Sequence, residues 1–262
     1  MHFWKLCRGL GFSWRETIRL AGQGKKHDLI AIQNQIPSLS IRDYYALQDR
    51  EGADAILCAA LCAALDTWKV YQDKGMDEGI FWDTMGMFRR FMGETQVRFG
   101  KRFFDRGWWT WRILEPRLFR LGSLEYELLD RQGEMSISLH IPSDADMTPE
   151  AVDASFSQAE SCCHCHYPQW DNAPWRCHSW LLSHRLLPFL KEGSHIRAFQ
   201  SRVGPDGTDD EESCRQWLFA AKPDAPLESL REDTSLQRSV KQHLLSGGVI
   251  GQGYGTVPRK IQ

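Results

Sequence analysis

The stretch that decides the fold runs from residue 121 to residue 182 and reads LGSLEYELLDRQGEMSISLHIPSDADMTPEAVDASFSQAESCCHCHYPQWDNAPWRCHSWLL. Two runs in which apolar and polar residues alternate, Leu121–Leu129 and Met135–Ile141, predict β-strands. A helical pattern and a third apolar run, Cys177–Leu182, come next. The order strand–strand–helix–strand predicts an α/β sheet, in which ligands commonly bind where a strand leads into the following helix. Pro142–Pro149 is the polar junction of that kind in this chain.

The first two predicted strands have the pattern of a β-hairpin, with Arg131–Glu134 as a four-residue connection. Because side chains alternate between the two faces of a strand, a one-residue slip would move every apolar residue to the wrong face. The pattern therefore fixes one register. It pairs Tyr126 with Leu139 and Leu128 with Ile137 on a core face, and Glu125 with His140 and Glu127 with Ser138 on a face that we expect to be open to water.

The rest of the chain divides into a helical part and a mixed part. Residues 1–115 carry apolar residues at three- and four-residue steps, most regularly in Ala53–Lys74, and predict helices. Glu115-Pro116 marks a domain boundary because the residue before a proline disfavours helical geometry. We therefore predict an α+β fold. Its parts are an all-helical domain over 1–115, a mixed α/β domain over 116–225, and a C-terminal segment over 226–262. That segment is predicted to be a helix followed by a flexible glycine-rich arm packed on the body of the protein.

Two further element predictions can be tested by the structure. Thr148-Pro149-Glu150 predicts the start of a helix, with Thr148 as N-cap, a proline at the first helical position and an acid in the first turn. The apolar run Gln216–Ala220 predicts a late strand.

Composition excludes several classes of protein. The 262 residues are 42% hydrophobic and 25% charged with a net charge of −2, which excludes a disordered or fibrous chain. No run approaches the roughly 18–20 apolar residues of a membrane span, and the N-terminus lacks the apolar core of a signal peptide. We therefore expect a cytoplasmic protein with no membrane partner, whose eight cysteines are reduced thiols.

The segment Arg89–Arg120 differs from the rest of the chain in charge. It holds nine Lys or Arg and three Asp or Glu, interleaved with aromatic residues. Three interpretations remain open: a solvated basic face over a buried aromatic seam, contacts to the phosphates of a nucleotide-bearing cofactor, or a nucleic-acid surface, which is the least favoured. Under the second interpretation Arg117 and Arg120, next to the domain boundary, are candidate cofactor-binding residues.

A cluster of cysteines and histidines lies between residues 162 and 178. Cys162, Cys165, Cys177 and His178 would supply four zinc ligands. Cys177 and His178 are adjacent, however, and would project to opposite sides of a strand. We therefore predict no metal site here.

Four stretches resemble the bacterial acyltransferase-domain proteins that join a helical N-acyltransferase N-terminal domain to a GNAT-like C-terminal domain. They are YQDKGMDEGIFWDT at 71–84, FRLGSLE at 119–125, HIPSDA at 140–145 and CHSWLL at 177–182. The resemblance implies a mixed sheet with a splayed central crevice, acyl-coenzyme A as co-substrate, and transfer of its acyl group to the amine of a small-molecule acceptor.

The resemblance also implies roles for particular residues. Glu125 or Glu127 would act as the base that deprotonates the ammonium group, and His140 would orient the carboxylate or share its proton. Backbone N–H groups from Ile141 to Ser143 would contact the cofactor and polarise the thioester carbonyl. Cys177 or Ser179 would donate a proton to the leaving thiolate.

The junction before the helix departs from the GNAT pattern. It lacks the glycine-rich turn that grips pyrophosphate and carries Asp144 and Asp146 instead. These two residues are candidate substrate-binding groups for a cationic amine. An alternative function is therefore a non-catalytic GNAT-like protein that binds a small cationic ligand or regulates another process.

Overall fold

The computed structural model describes residues 1–211, 213–222 and 225–258. The chain divides into two units, Met1–Arg120 and Leu121–Gln262. The division falls a few residues after the predicted boundary at Glu115-Pro116. Residues 226–262, predicted as a helix and an arm packed on the body, belong to the second unit as far as they are described. Residues 259–262 of that arm lie outside the described residues.

The first unit is helical, as predicted. Its helices are α1 Phe3–Gly9, α2 Trp14–Ala21, α3 Leu29–Gln35, α4 Ile41–Glu51, α5 Ala53–Asp73, α6 Glu78–Met85, α7 Met87–Phe99 and α8 Gly107–Leu114. α5 is the central helix, because α1, α2, α3, α4, α6 and α8 all pack against it. Eleven of its 21 residues are buried, which explains why its apolar pattern was the most regular in the sequence.

The second unit is built on a six-stranded mixed sheet. Its elements are β1 Leu118–Leu121 (which begins in the first unit), β2 Leu124–Arg131, β3 Glu134–His140, α9 Pro149–His166, β4 Trp175–Ser179, α10 His195–Val203, β5 Pro205–Asp209, α11 Cys214–Leu218, α12 Ser235–Leu245 and β6 Gln252–Thr256. The strand order is β1-β2-β3-β4-β6-β5. β3 and β4 are parallel, and the pairs β2–β3, β4–β6 and β5–β6 are antiparallel. The predicted α+β fold class is confirmed.

The predicted hairpin register is confirmed in all four pairs, from Glu125–His140 to Leu128–Ile137. The connection is shorter than predicted, because Arg131 and Glu134 still pair with each other. Only Gln132 and Gly133 form the turn, with φ angles of 56° and 90°. Two successive positive φ angles are typical of the tight hairpin turn that matches the twist of the strands. The Gly133 N–H donates to the Asp130 carboxylate at 2.7 Å and closes the turn.

One face of the sheet packs against α9. The Tyr126 ring lies 5.3 Å from the Trp175 ring, and Phe156 of α9 lies 6.0 Å from the same indole. The Tyr126 hydroxyl hydrogen-bonds the Ser155 hydroxyl at 2.9 Å. Tyr126 and Trp175 are each 1% exposed. The core face that the alternating pattern predicted is therefore the face covered by α9.

Two predictions for the late part of the chain are wrong. Gln216–Ala220, predicted as a strand, lies mostly in helix α11, since a short apolar run cannot distinguish strand from helix. The glycine-rich arm contains β6, which lies inside the sheet between β4 and β5. Glycine is needed there because a Cβ atom at Gly253 would lie 2.2 Å from the Leu182 carbonyl oxygen. The glycines that indicated a flexible arm instead permit close packing of a strand.

Candidate active site

The parallel pair β3–β4 is the structural centre of the candidate site. Its ladder pairs Ile137–Leu139 with Trp175–Cys177 and extends no further in the described chain. β3 continues to His140, and the last two residues of β4, His178 and Ser179, pair with β6 on the other edge of β4 but not with β3. The carboxyl ends of two neighbouring parallel strands are therefore not joined to each other. In open α/β sheets this is where ligands bind.

The loop from β3 to α9 begins at this open end. The Ala145 N–H donates to the Pro142 carbonyl at 3.0 Å, and the Thr148 N–H donates to the Asp146 carboxylate at 2.9 Å. That backbone hydrogen bond is the main cause of a lowered pKa for Asp146, and a hydrogen bond from the Thr148 hydroxyl adds to it. Asp144 and Asp146 are exposed. Asp146 thus holds the loop in shape, a role that was not predicted.

The predicted start of α9 is confirmed in position, with Thr148 at the N-cap and Pro149 as the first helical residue. Among the residues described, the Thr148 side chain caps none of the helix N–H groups, and its hydroxyl bonds to Asp146 instead. Proline supplies no N–H group, and Glu150 places an anion in the first turn. This helix terminus is therefore a weaker anion site than one that follows a glycine-rich turn.

Glu127 and His140, two of the predicted catalytic residues, form an acid–base contact. The His140 Nε2 atom lies 3.0 Å from a Glu127 carboxylate oxygen. The Glu127 side chain is 4% exposed and the His140 side chain is 23% exposed. The contact is diagonal across the hairpin, because Glu125, not Glu127, is directly opposite His140.

The expectation that this face would be open to water at Glu125 and Glu127 is wrong. Each residue is only 3% exposed. A buried carboxylate is stable only with hydrogen-bond or charged partners, and His140 is such a partner for Glu127. The pair therefore joins a sheltered carboxylate to an imidazole that still reaches solvent.

Cys177 and Ser179 lie on the opposite face of the sheet from Glu127 and His140. Cys177 is opposite Leu139 in the ladder and shares the core face with Tyr126. Burial raises the pKa of the Cys177 thiol to about 12, so this thiol is a poor proton donor to a departing thiolate of ordinary thiol pKa. The Ser179 hydroxyl accepts the Leu181 N–H at 3.2 Å. The structure therefore does not bring these two residues to the candidate site.

The other predicted cofactor contacts have different surroundings. Ile141 and Ser143 are in the β3–α9 loop, at the open end of the parallel pair. Arg117 and Arg120 are in the first unit. The exposed Arg117 forms an ion pair with Glu115 at 2.9 Å, and the Arg120 N–H donates to the Thr84 hydroxyl at 2.9 Å.

The basic segment Arg89–Arg120 contains a partly buried ion cluster that the sequence did not indicate. Arg106 and Asp105 are 6% and 5% exposed, and Arg106 also forms an ion pair with Glu94 at 2.5 Å. The Arg106 guanidinium lies 4.8 Å from the centre of the Phe91 ring. Burial raises the pKa of Asp105. The aromatic contact agrees with the buried aromatic seam of the first interpretation, but Arg106 itself is buried in the ion cluster and is not part of a solvated basic face.

A groove of about 470 Å³ lies on the same sheet face as Glu127 and His140. Side chains on this face that line it are Leu129, Arg131, Ser136, Ser138, Arg176, His178, Tyr254 and Thr256. Ser138 is directly opposite Glu127 in the hairpin, so the groove ends beside the acid–base pair. The groove was not predicted from the sequence, because residues 252–256 were not recognised as a strand. The alternation of Gln252, Tyr254 and Thr256 with glycines was the available signal.

The predicted Cys/His cluster does not form a metal site in the described residues. Cys162 and Cys163 are buried on α9, Cys165 is exposed, and Cys177 lies in the core. A different group, His178, Asp209 and Glu211, has ligand atoms within 4.8 Å of one another. A 2.8 Å contact between His178 and Asp209 already joins two of them.

Two family models match the chain. The model of the N-acyltransferase N-terminal domain matches residues 25–115, and that of the GNAT-like C-terminal domain matches residues 118–257, more than half of the chain. No curated protein sequence matches significantly. No helix in the described parts of the chain is long and apolar enough to cross a membrane.

Solved structures share the fold at low sequence identity. An acyltransferase variant in complex with octanoyl-CoA has a TM-score of 0.78 and 20% identity, over 97% of this chain and 87% of that one. An acyltransferase in complex with decanoyl-CoA has a TM-score of 0.70 and 23% identity, over 79% and 67% of the two chains. An acyltransferase in complex with CoA and 10C-teicoplanin has a TM-score of 0.71 and 18% identity, over 98% and 100%.

The similarity to these solved structures shows the fold alone. The assignment of the chain to a family rests on the two family models. The all-helical unit, the mixed sheet and the open carboxyl end of β3–β4 agree with it. The chain belongs to the N-acyltransferase family in which a helical N-acyltransferase N-terminal domain precedes a GNAT-like C-terminal domain.

Proposed function

We propose that the protein transfers an acyl group from acyl-coenzyme A to the amine of a small-molecule acceptor. The observation that carries the proposal is the position of the Glu127–His140 pair beside the open end of the β3–β4 ladder. The presence of acyl-CoA in solved acyltransferases of the same fold supports the choice of donor. Two further solved acyltransferases of this fold contain teicoplanin or 10C-teicoplanin, which supports an acceptor larger than a simple amine.

The reaction needs a base, because an amine is a nucleophile only after its ammonium form loses a proton. His140 is the partly exposed member of the pair, so its imidazole takes this proton, while the buried Glu127 carboxylate stabilises the imidazolium. The amine nitrogen then attacks the thioester carbonyl carbon and the C–N bond forms. As the C–S bond breaks, the nitrogen loses its second proton to water and becomes the amide nitrogen. The departing thiolate receives a proton from the imidazolium or from water.

The carbonyl oxygen needs hydrogen-bond donors as negative charge develops on it. The backbone N–H groups of the Ile141–Ser143 segment are our candidates, because they follow the last paired residues of β3. Asp144 and Asp146 are exposed on the same loop and are proposed to attract the cationic acceptor. The residues proposed for cofactor contact remain Ile141, Ser143, Arg117 and Arg120.

The test combines binding with turnover. A titration with octanoyl- or decanoyl-CoA should raise the melting temperature of the wild type, because a ligand that binds only the native state stabilises it. Glu127→Gln and His140→Gln should each lower kcat/KM for an amine acceptor by about 10²-fold or more and keep the acyl-CoA shift. His164→Ala is the matched control, since His164 also contacts a carboxylate but is 76% exposed on α9.

Two results would count against the proposal. Full activity in both variants would remove Glu127 and His140 from the mechanism. The absence of any shift with acyl-CoA, together with an amine-induced shift that Asp144→Asn weakens, would favour the alternative of a non-catalytic amine-binding protein.

A further inference from the structure

Two helices of the first unit expose large apolar side chains that touch each other. Trp4 of α1 and Trp14 of α2 are 39% and 68% exposed, and their ring centroids lie 4.8 Å apart. Ile18, one helical turn after Trp14, is 50% exposed. Clustered exposed apolar side chains of this size mark interaction surfaces.

These side chains are not exposed because the helices are loosely held. Leu6 and Leu20, on the other faces of α1 and α2, are each 0% exposed. Both helices pack against the central helix α5. The Ser13–Glu16 capping box also fixes the start of α2. The two helices are thus anchored on one side and present a fixed aromatic surface on the other.

The same segment has the opposite charge to the rest of the chain. Residues 1–26 contain six Lys or Arg and one acidic residue, a net charge of +5, whereas the whole chain has −2. The single acid, Glu16, accepts the Ser13 N–H at 2.7 Å and pairs with Arg89. Lys5 and Arg8 on α1 and Arg15 on α2 are exposed. Arg8 is one helical turn after Trp4, and Lys5 and Arg15 each follow a tryptophan directly in the sequence. We call Trp4, Lys5, Arg8, Trp14, Arg15 and Ile18 together the α1–α2 surface.

We propose that the α1–α2 surface binds the face of a lipid bilayer that contains anionic lipids. Tryptophan favours the interface between water and hydrocarbon, where its ring is apolar and its N–H remains hydrated. Lys and Arg beside it are attracted to lipid phosphates, about fivefold in affinity for each cation near the surface. Helices that lie on a membrane combine these two features.

The aliphatic side chain favours a lipid over other anionic partners. A nucleic acid would use the cations and stack bases on the rings, but Ile18 offers no stacking surface. Hydrocarbon accommodates Trp4, Trp14 and Ile18 alike. This attachment is peripheral, and it changes the expectation of no membrane partner. It does not depend on the proposed acyl transfer.

The test is co-sedimentation of the full chain with vesicles. One set contains phosphatidylcholine alone, and the other contains about one third phosphatidylglycerol, because the charge of the surface is the variable. We expect binding to the anionic set only, and a loss of at least about tenfold in affinity when salt rises from about 0.1 to about 0.5 M.

Two double variants separate the apolar and the charged contributions. Trp14→Ser with Ile18→Ser, and Arg8→Glu with Arg15→Glu, should each weaken binding to anionic vesicles by about tenfold or more. Val97→Ser on α7, where valine is 58% exposed, and Arg42→Glu on α4 are the matched controls and should bind as the wild type does. A thermal melt of each variant shows that it is folded.

Three results would overturn the proposal. Wild-type protein that does not sediment with anionic vesicles has no such surface, and its retention on an immobilised polyanion would then indicate an acidic macromolecule. Equal binding to both vesicle sets would show that the charge of the lipids does not contribute to binding. Loss of binding in the charge variant alone would show simple attraction to any anion, without contact to the bilayer interior.

Discussion

Ser155 shows how much one hydroxyl contributes to the second unit. Its Oγ atom contacts the Tyr126 hydroxyl at 2.9 Å, accepts the Leu124 N–H at 3.3 Å and donates to the Leu121 carbonyl. The residue is 0% exposed, so water cannot replace these bonds. One side chain of α9 therefore satisfies polar groups on both sides of the β1–β2 turn.

Ser155→Ala should lower the free energy of unfolding by about 1–3 kcal/mol, because it leaves buried polar groups without partners. Chemical denaturation measures this loss. Ser157→Ala, at an exposed site on the same helix, should change stability by less than about 0.5 kcal/mol. Adding Tyr126→Phe to Ser155→Ala should cost less than the sum of the two single changes; strict additivity would show that the two hydroxyls act independently.

At the scale of the element, the stability of helix α2 depends on a capping box whose Glu16 carboxylate can be protonated. The Glu16 carboxylate accepts a hydrogen bond from the Ser13 N–H, and the Glu16 backbone N–H donates to the Ser13 hydroxyl oxygen in return. Burial raises the pKa of Glu16, but hydrogen bonds from Ser13 and the Arg89 guanidinium outweigh it, and the net pKa is lowered. Its contribution to stability is therefore present above the ordinary glutamate pKa and is lost as pH falls through the lowered value.

Glu16→Ala should cost about 1 kcal/mol at neutral pH, and the difference from the wild type should disappear as the solution is acidified. The natural control is the second capping box, Thr234–Gln237 at the start of α12. Gln237 does not titrate, so the cost of Gln237→Ala should not change over the same pH range. Unfolding curves at several pH values measure both. A constant cost of Glu16→Ala would contradict the assigned pKa.

The close packing of strand β6 can be tested by replacing one of its glycines. Gly253→Ala would place a Cβ atom 2.2 Å from the Leu182 carbonyl oxygen, a backbone atom that cannot turn aside. We expect a loss of about 1–3 kcal/mol or more in unfolding free energy. Gly22→Ala is the control, because no atom lies within 4 Å of its Cβ position and its φ of −66° suits any residue. Equal stability of the two variants would show that β6 does not pack as described.

For the whole molecule, the sequence predicted those features that depend on local periodicity, such as strand register. It did not predict those features that depend on residues far apart in the chain. Alternation in Leu121–Ile141 was sufficient for the exact register of β2 and β3. It did not give the Glu127–His140 contact, because a long side chain can reach the diagonal neighbour as well as the residue directly opposite. It also did not give the burial of Glu125 and Glu127, since burial is decided by what covers a strand and not by its own residues.

The prediction for the glycine-rich segment failed for the same reason, because its strand partners lie even further away in the sequence. Gly251–Gly255 has few features of a strand, and only its neighbours β4 and β5 make it one. Cys177 and Ser179 were assigned to catalysis because of their strand, but the face they occupy follows from the parallel register with β3. Both errors come from interactions between residues far apart in the chain.

The order of strands in the sheet has a consequence for synthesis on the ribosome. β6 is the last strand to be translated, yet it fills the place between β4 and β5. Until residues 252–256 have left the exit tunnel, the edges of β4 and β5 have no partner, and such edges recruit other chains. The hairpin of β2 and β3 can form early because its contacts are local. The nascent sheet should therefore present unpaired edges from the synthesis of β4 until β6 emerges, and its final step is the insertion of a strand into a sheet that is already partly built.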